Sequence, residues 1–211
     1  MLAPTFRGPP AEIAMTGRGS VADFWKNIWD EKGLGASKDL LYLDGYEHLD
    51  IPFESRDIFK SLSSLMRVKK GDSILEVGCG CGFLSREFRG YDYVGVDYSE
   101  PIINKHLNLF PSHNVSVSEA SSLNLPDSSF DSVFCFGVFQ YLPSLSYADK
   151  VIEEMRRVSK RSVLLGDLKN TATRKEHLVY PQDKLVEKGF VFSECVYDPS
   201  DNQRYNALLK V

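Results

Sequence analysis

The spacing of apolar residues changes along the chain, from helical in the first third to alternating strands and helices afterwards. Residues 21–29 carry an apolar stripe at helical spacing, which the glycines of residues 33–35 would end. A second stripe over residues 58–66 predicts another helix, stopped by Gly71. From Ser73 onward, short apolar runs alternate with helical patterns. This alternation predicts a parallel sheet covered by helices on both faces.

The elements of the second region follow from the same patterns. Strands are expected at residues 73–77, 93–96, 115–117, 132–136 and 162–165. Helices are expected from three sets of apolar positions: Phe83, Leu84 and Phe88; Ile102, Ile103, His106, Leu107 and Phe110; and Val151, Ile152, Met155 and Val158. Residues 190–197 and 204–211 read as a terminal hairpin. The fold class is therefore α/β, a doubly wound seven-stranded sheet, mostly parallel, with an antiparallel C-terminal hairpin strand.

Three segments are expected along the chain. Residues 1–20 are rich in Pro and Gly and lack apolar periodicity, which indicates a flexible N-terminal arm. Residues 21–70 form a helical extension that we expect to act as a lid on the substrate side. Residues 71–211 form the α/β core.

Composition limits the partners of this chain of 211 residues. A net charge of −4 without clustered Lys and Arg gives no reason to expect nucleic acid. No apolar run approaches the length of a membrane span, and a secretory start is absent, so a cytoplasmic location is expected. The spacing of Cys79 and Cys81 is too short for a Cys-x-x-Cys site, and Cys135 and Cys195 lie in apolar runs. We predict no metal site and a monomer or homodimer.

The chemically informative stretch is a glycine-rich turn, residues 76–82, at the carboxyl end of the first core strand. Counted from Gly78, the last position of a dinucleotide-binding fingerprint is Phe83, which breaks that pattern, whereas counted from Gly80 it is Ser85, which is tolerable but imperfect. The carboxylate of Glu76 would repel a pyrophosphate and attract an ammonium group. Asp97 ends the second strand, where a carboxylate can accept hydrogen bonds from ribose hydroxyls. These features fit an adenosyl amino acid better than NAD.

Four ordered motifs resemble those of class I S-adenosylmethionine-dependent methyltransferases, of the small-molecule, type 11-like kind. The matching segments are Ile74-Leu75-Glu76-Val77-Gly78-Cys79-Gly80, Val94-Gly95-Val96-Asp97-Tyr98-Ser99, Ser118-Glu119-Ala120 followed by the run from Leu125 to Val133, and Phe136-Gly137-Val138-Phe139-Gln140-Tyr141-Leu142. The resemblance covers about residues 71–211. It implies a Rossmann-like fold, S-adenosylmethionine as the cofactor and S-adenosylhomocysteine as its product.

The resemblance also implies roles for the residues that hold the methionine half of the cofactor. Gly78, Cys79 and Gly80 would line it through backbone atoms. Glu76 would orient its amino group, and Phe136 would offer a backbone carbonyl near the sulfonium.

Residues after the second and third strands would hold the adenosine half. Asp97 would bind the ribose, although it could instead cap the next helix. Tyr98 would pack against the adenine, with Glu119 and Ala120 at its edge; an exposed Glu119 in a loop is the alternative. Asp131 matches the Phe-Asp pair of the family, where a structural role is expected rather than a catalytic one.

No catalytic residue is identified, because methyl transfer from a sulfonium needs alignment and exclusion of water more than acid–base chemistry. Gln140 and Tyr141 are candidates, since they occupy positions where relatives often carry His. The missing His favours an acceptor that needs little proton removal. The histidines that could reach in from elsewhere are His48, His106, His113 and His177. An Asn/Asp-Pro-Pro-aromatic sequence is also absent, which argues for a small-molecule acceptor.

Aromatic residues of the extension are candidates for binding the substrate, together with Tyr141. They are Trp25, Trp29, Tyr42 and Tyr46, although the tryptophans could simply pack their helix on the sheet. Two other functions stay open. One is a non-catalytic methyltransferase-like subunit that activates a partner, and the other is a nicotinamide-dependent dehydrogenase.

Overall fold

The computed structural model describes residues 20–46, 54–195 and 203–211. The helices are α1 (Val21–Leu34), α2 (Leu40–Leu43), α3 (Ser55–Met66), α4 (Glu100–Leu109), α5 (Leu145–Val158) and α6 (Gln182–Glu187). The strands are β1 (Ser73–Val77), β2 (Asp92–Asp97), β3 (Val115–Val117), β4 (Phe130–Phe136), β5 (Ser159–Lys169), β6 (Val191–Glu194) and β7 (Arg204–Lys210). The predicted N-terminal arm lies outside the described residues except for Ser20, as does the connection between β6 and β7.

One seven-stranded sheet has the order β3-β2-β1-β4-β5-β7-β6. Strands β1 to β5 pair in parallel, whereas β7 pairs antiparallel with both β5 and β6. The predicted sheet, closed by one antiparallel hairpin strand, is confirmed. From β1 the chain adds β2 and β3 on one side of the sheet and then β4 and β5 on the other. Such a change of direction opens a crevice at the carboxyl ends of the strands.

Alternating side chains of the central strands build an apolar core on each face of the sheet. Ile74 of β1 and Phe134 of β4 pack with α3, through Ile58 and Leu62. Their neighbours in sequence point the other way and pack with α5. The helices on both faces, predicted from sequence, are therefore confirmed.

The glycine-rich turn does not open an α-helix, and this prediction was wrong. Phe83, Leu84 and Phe88 are buried around a single 3-10 turn at Ser85–Glu87. The backbone N–H groups of Cys81 and Phe83 donate to the side chain of Asp44, so they are held by a distant segment. The backbone after the turn is therefore held by long-range hydrogen bonds rather than by those of an α-helix.

Smaller differences concern the ends of other elements. Helix α3 ends before Arg67, which adopts a left-handed conformation at φ 54°, rather than running on to Gly71. The short helices α2 and α6 were not predicted, because four and six residues carry too little periodicity to be recognised.

Asp131 has the structural role expected of it. Its Oδ2 accepts hydrogen bonds from the backbone N–H and the hydroxyl of Ser73, both at 2.9 Å. These bonds join the start of β1 to the start of β4, at the edge of the sheet opposite the crevice.

Helix α1 lies against α4 and reaches over the carboxyl end of β2. A Cβ atom on Gly33 would lie 2.5 Å from the backbone of Pro101, so the two helices touch through their main chains. The hydroxyl of Ser99, which caps α4, donates to Asp30 Oδ1 at 2.6 Å. The extension is thereby anchored beside Asp97.

No helix in the described part of the chain is long and apolar enough to cross a bilayer.

Candidate cofactor and substrate site

A cavity of about 390 Å³ lies at the carboxyl ends of β1, β2 and β4, a volume typical of small-molecule sites. The core contributes the glycine-rich turn, the end of β2 and the segment after β4. The extension contributes side chains from α1 and from the turn after α2, including Lys26, Trp29, Asp44 and Tyr46. The site is therefore built by both parts of the chain.

The glycine-rich turn is held by hydrogen bonds from successive backbone N–H groups. Gly78 and Cys79 donate to the carbonyl of Val96, at 2.7 and 3.0 Å. Gly80 donates to Asp97 Oδ2 at 3.2 Å. Gly78 and Gly80 have φ angles of 79° and 52°, which side chains rarely tolerate. The turn is thus pre-formed, with its backbone directed by β2.

Asp44 is the residue of the site that the sequence did not reveal. Its Oδ1 accepts from Cys81 N at 2.6 Å, and its Oδ2 accepts from Phe83 N at 2.8 Å. The partners lie 37 and 39 residues further along the chain. An aspartate before a glycine is ordinary in a loop, and no local pattern could have shown this contact.

Three carboxylates of the cavity are affected by burial. Burial raises the pKa of Asp44 to about 7 and that of Asp97 to about 6. It also raises the pKa of Glu76, whose carboxylate accepts a hydrogen bond from Tyr93 Oη at 2.6 Å. A cationic ligand would stabilise all three in their charged form.

The predicted adenosine residues line the end of the cavity beside β2 and β3. Tyr98, Glu119 and Ala120 are all in its wall, next to Asp97. Glu119 is exposed, and its Oε2 accepts from Tyr147 Oη at 2.6 Å.

The aromatic candidates divide into two groups. Trp29, Tyr46 and Tyr141 line the cavity. Trp25 does not line it: the indole stacks on His177, with ring centroids 5.3 Å apart, and donates to the carbonyl of Glu176. Tyr42 is also outside the wall and lies on the surface, with its ring 4.8 Å from the ammonium of Lys32.

The polar candidates for catalysis also separate. Gln140 is buried outside the cavity wall, where its amide donates to the carbonyl of Gly137 at 3.3 Å. His106 lies behind the glycine-rich turn, with Nδ1 2.8 Å from the carbonyl oxygen of Gly80 and Nε2 3.0 Å from His113. His177 stays beside Trp25, and His48 lies outside the described residues. Tyr141 alone of these candidates reaches the described wall.

The described residues contain neither a metal-binding cluster nor a disulfide. Across residues 20–46, 54–195 and 203–211, no three His, Cys, Asp or Glu side chains gather closely enough to hold a metal ion. All four cysteines are buried, and none of them forms a disulfide. Cys81 Sγ contacts the carbonyl of Ile102, which is a packing role.

Comparison with known families decides how this geometry should be classified. Residues 75–165 match the family model described as a methyltransferase domain. The match starts inside β1 and ends inside β5, so it contains the glycine-rich turn and Asp97. This part of the chain is therefore similar to a methyltransferase domain.

Known methyltransferases resemble the chain in sequence and in fold. A probable methyltransferase, ltbC, of Aspergillus luteorubrus is 29% identical over 139 residues, which is 59% of this chain and 47% of that protein. Phosphoethanolamine N-methyltransferase 3 of Arabidopsis thaliana is 24% identical over 151 residues, covering 68% of this chain and 29% of that protein. The matches therefore span less than half of the length of these two relatives.

A solved structure extends the likeness in fold to nearly the whole chain. It is the magnesium protoporphyrin IX methyltransferase of Synechocystis PCC 6803, with a TM-score of 0.63 at 13% identity. The alignment covers 93% of this chain and 99% of that one.

The candidate residues lie partly in the segment that matches the methyltransferase family model and partly in the extension. The nine predicted cofactor residues, from Glu76 to Phe136, fall within the family match. Trp29, Asp44 and Tyr46 line the same cavity but precede it.

Proposed function

We propose that the chain transfers a methyl group from S-adenosylmethionine to a small-molecule acceptor by direct in-line displacement. The observation that carries this proposal is the single cavity in which the turn of a methyltransferase domain and the aromatic side chains of the extension meet.

The hydrogen bonding of the turn argues against a dinucleotide. A pyrophosphate is bound by free backbone N–H groups at a helix N-terminus. Here the N–H groups of Gly78, Cys79, Gly80, Cys81 and Phe83 already donate to protein oxygens. The turn also leads into a 3-10 turn, so no α-helix begins at the turn itself. The hydrogen bonds of the turn therefore argue against the dehydrogenase hypothesis.

The cofactor would lie along the carboxyl ends of the strands. Glu76 and the backbone of residues 78–80 would hold the methionine half, and Asp97 would accept from the ribose hydroxyls. Tyr98, Glu119 and Ala120 would hold the adenine. The carbonyl of Phe136 would face the sulfonium side. All of these residues lie in the wall of the cavity.

The bound cofactor supplies an activated methyl group on a cationic sulfur. The chain must then align the acceptor and exclude water. Trp29, Tyr46 and Tyr141 offer apolar faces for this, and burial raises the pKa of Tyr46 so that its hydroxyl stays neutral. An acceptor with a free lone pair, such as an unprotonated amine, needs no base before the bond forms. Its surplus proton then leaves to solvent.

Ligand titration tests the cofactor assignment. We expect S-adenosylhomocysteine to raise the thermal midpoint of the protein while NAD does not. Asp97→Ala should weaken binding of S-adenosylhomocysteine by at least about 1.5 kcal/mol, because hydrogen bonds to a charged acceptor are lost. Asp92→Ala, at the exposed opposite end of β2, is the matched control and should leave the affinity unchanged.

Two results would refute the proposal. One is an empty cavity at millimolar S-adenosylhomocysteine, and the other is tighter binding of NAD. Transfer of a labelled methyl group to any member of a panel of small amines then separates an enzyme from a non-catalytic subunit.

A further inference from the structure

We propose that Asp44 is a cofactor-site residue supplied by the N-terminal extension, and that its carboxylate couples docking of the extension to binding of the cofactor's cationic methionine half. This inference rests on the proposed function, since it assigns one more residue to the same site.

The contacts of Asp44 place its carboxylate inside the site. Each oxygen accepts one backbone N–H of the glycine-rich turn, from Cys81 and from Phe83, and the residue also lines the cavity. A carboxylate oxygen has two lone-pair directions, so each oxygen keeps capacity for a ligand. Asp44 therefore shapes the turn and presents negative charge beside it.

Gly80 shows that the turn is shaped to receive this side chain. A Cβ atom on Gly80 would lie 2.4 Å from Asp44 Oδ1. The N–H of the same glycine donates to Asp97 Oδ2, so the residue lies between two carboxylates. Every side chain larger than hydrogen would push Asp44 away from the turn.

The backbone of Asp44 is fixed to α2, so the carboxylate reaches the turn only when the extension is docked. Asp44 N donates to the carbonyl of Leu40 at 3.0 Å, and Tyr46 N donates to that of Leu41 at 2.7 Å. Lys32 Nζ of α1 donates to the carbonyl of Tyr42 at 2.6 Å, which joins α2 to α1. Docking of the extension and placement of the carboxylate are one event.

The charges around the cavity favour a cationic occupant. Among the described residues of its wall, Lys26 is the one basic side chain. The acidic ones are Asp23, Asp44, Glu76, Asp97 and Glu119. The ammonium and sulfonium of S-adenosylmethionine would offset the repulsion among Asp44, Glu76 and Asp97. A ligand without these groups would not.

Coupling follows from these two properties. If the docked extension supplies a carboxylate to the ligand, the ligand binds more tightly to the docked state and stabilises it by the same factor. Both tryptophans of the chain, Trp25 and Trp29, belong to α1, so tryptophan fluorescence reports on the position of this helix.

The test compares Asp44→Asn with Asp39→Asn in the full chain. Asp39 caps the same short helix α2 and lies outside the cavity wall, so it controls for charge loss in this segment. Each protein is titrated with S-adenosylmethionine, S-adenosylhomocysteine and methylthioadenosine, which lacks the amino-acid portion. Calorimetry gives the affinities, and tryptophan emission follows α1.

We expect Asp44→Asn to weaken binding of S-adenosylmethionine and S-adenosylhomocysteine at least tenfold and that of methylthioadenosine less than threefold. The fluorescence response to S-adenosylhomocysteine should shrink as well. Asp39→Asn should behave as wild type. If Asp44→Asn does not fold, Asp44→Ser, which keeps an oxygen acceptor without the charge, takes its place with the same expected pattern.

Two outcomes would overturn the inference. One is wild-type affinity in the Asp44 variant, and the other is an equal loss for all three ligands, which indicates a structural role of Asp44 alone. Failure of the wild-type protein to bind S-adenosylhomocysteine would instead refute the proposed function.

Discussion

The core and helix α1 of the extension line the same cavity but are held in place in different ways. The core is one hydrogen-bonded sheet with an apolar layer on each face, and its central side chains, such as Phe134, are fully buried. The apolar residues of α1 form a separate small cluster of Phe24, Trp25 and Ile28. Hydrogen bonds from Ser99 and Lys105 to Asp30 and Gly35 join this end of the extension to α4, whereas α3 packs directly on the sheet. The comparison teaches that the fold depends on one region, whereas the site depends on both.

The largest expected effect separates the two regions by stability. Phe134→Ala should lower the free energy of unfolding by about 3–5 kcal/mol, because it leaves a cavity between β4 and the stacked ring of Phe88. Ile28→Ala should shift global unfolding much less, since α1 can open locally. Circular dichroism follows the whole molecule and tryptophan emission follows α1. Equal shifts in both signals for both variants would show a single cooperative unit.

An intermediate effect is expected at the contact between the regions. Gly80→Ala combines an unfavourable φ of 52° with a Cβ that would overlap Asp44, and overpacking of this kind costs about 1–3 kcal/mol. We expect binding of S-adenosylhomocysteine to weaken at least tenfold, as measured by calorimetry. Gly71→Ala also has a positive φ but opens into free space, so it should lower stability without changing affinity. Unchanged affinity in Gly80→Ala would show that the contact between the turn and the extension does not contribute to ligand binding.

The smallest expected effect is a pH dependence of stability in the cofactor-free protein. Burial raises the pKa of Asp44 to about 7, so the folded protein binds a proton more tightly than the unfolded chain. This contribution is present at low pH and is lost as the pH rises through about 7. His106 opposes it at lower pH, because burial depresses the pKa of this histidine to about 4.

The Asp44 contribution is therefore best isolated above pH 6.5. Between pH 6.5 and 8 the thermal midpoint of the wild type should fall more than that of Asp44→Asn. Parallel curves would mean that Asp44 does not titrate in this range.

The sequence was sufficient for the sheet because its signals are local. Apolar runs such as those around Leu75 and Val133 are buried strands, and the hairpin follows from two extended runs around a polar turn. The family resemblance then located the turn and Asp97. The helix predicted after the turn does not form, because hydrogen bonds to a distant segment of the chain shape the backbone there. Apolar periodicity does not reveal such contacts.

The extension was less predictable because its residues act across long sequence separations. Trp29 and Tyr46 line the cavity while Trp25 and Tyr42 do not, although all four are aromatic and close in sequence. Which of the two tryptophans faces the site depends on how α1 packs on α4. Asp44 has no neighbour in sequence that reveals its distant hydrogen bonds.

The backbone contact between Gly33 and Pro101 also bears on turnover. Helix α1 forms one wall of the cavity, so its separation from α4 would open a path for product release. The rate of product release would then depend on how fast α1 separates from α4. A bulkier residue at position 33 would accelerate release and weaken the binding of new cofactor.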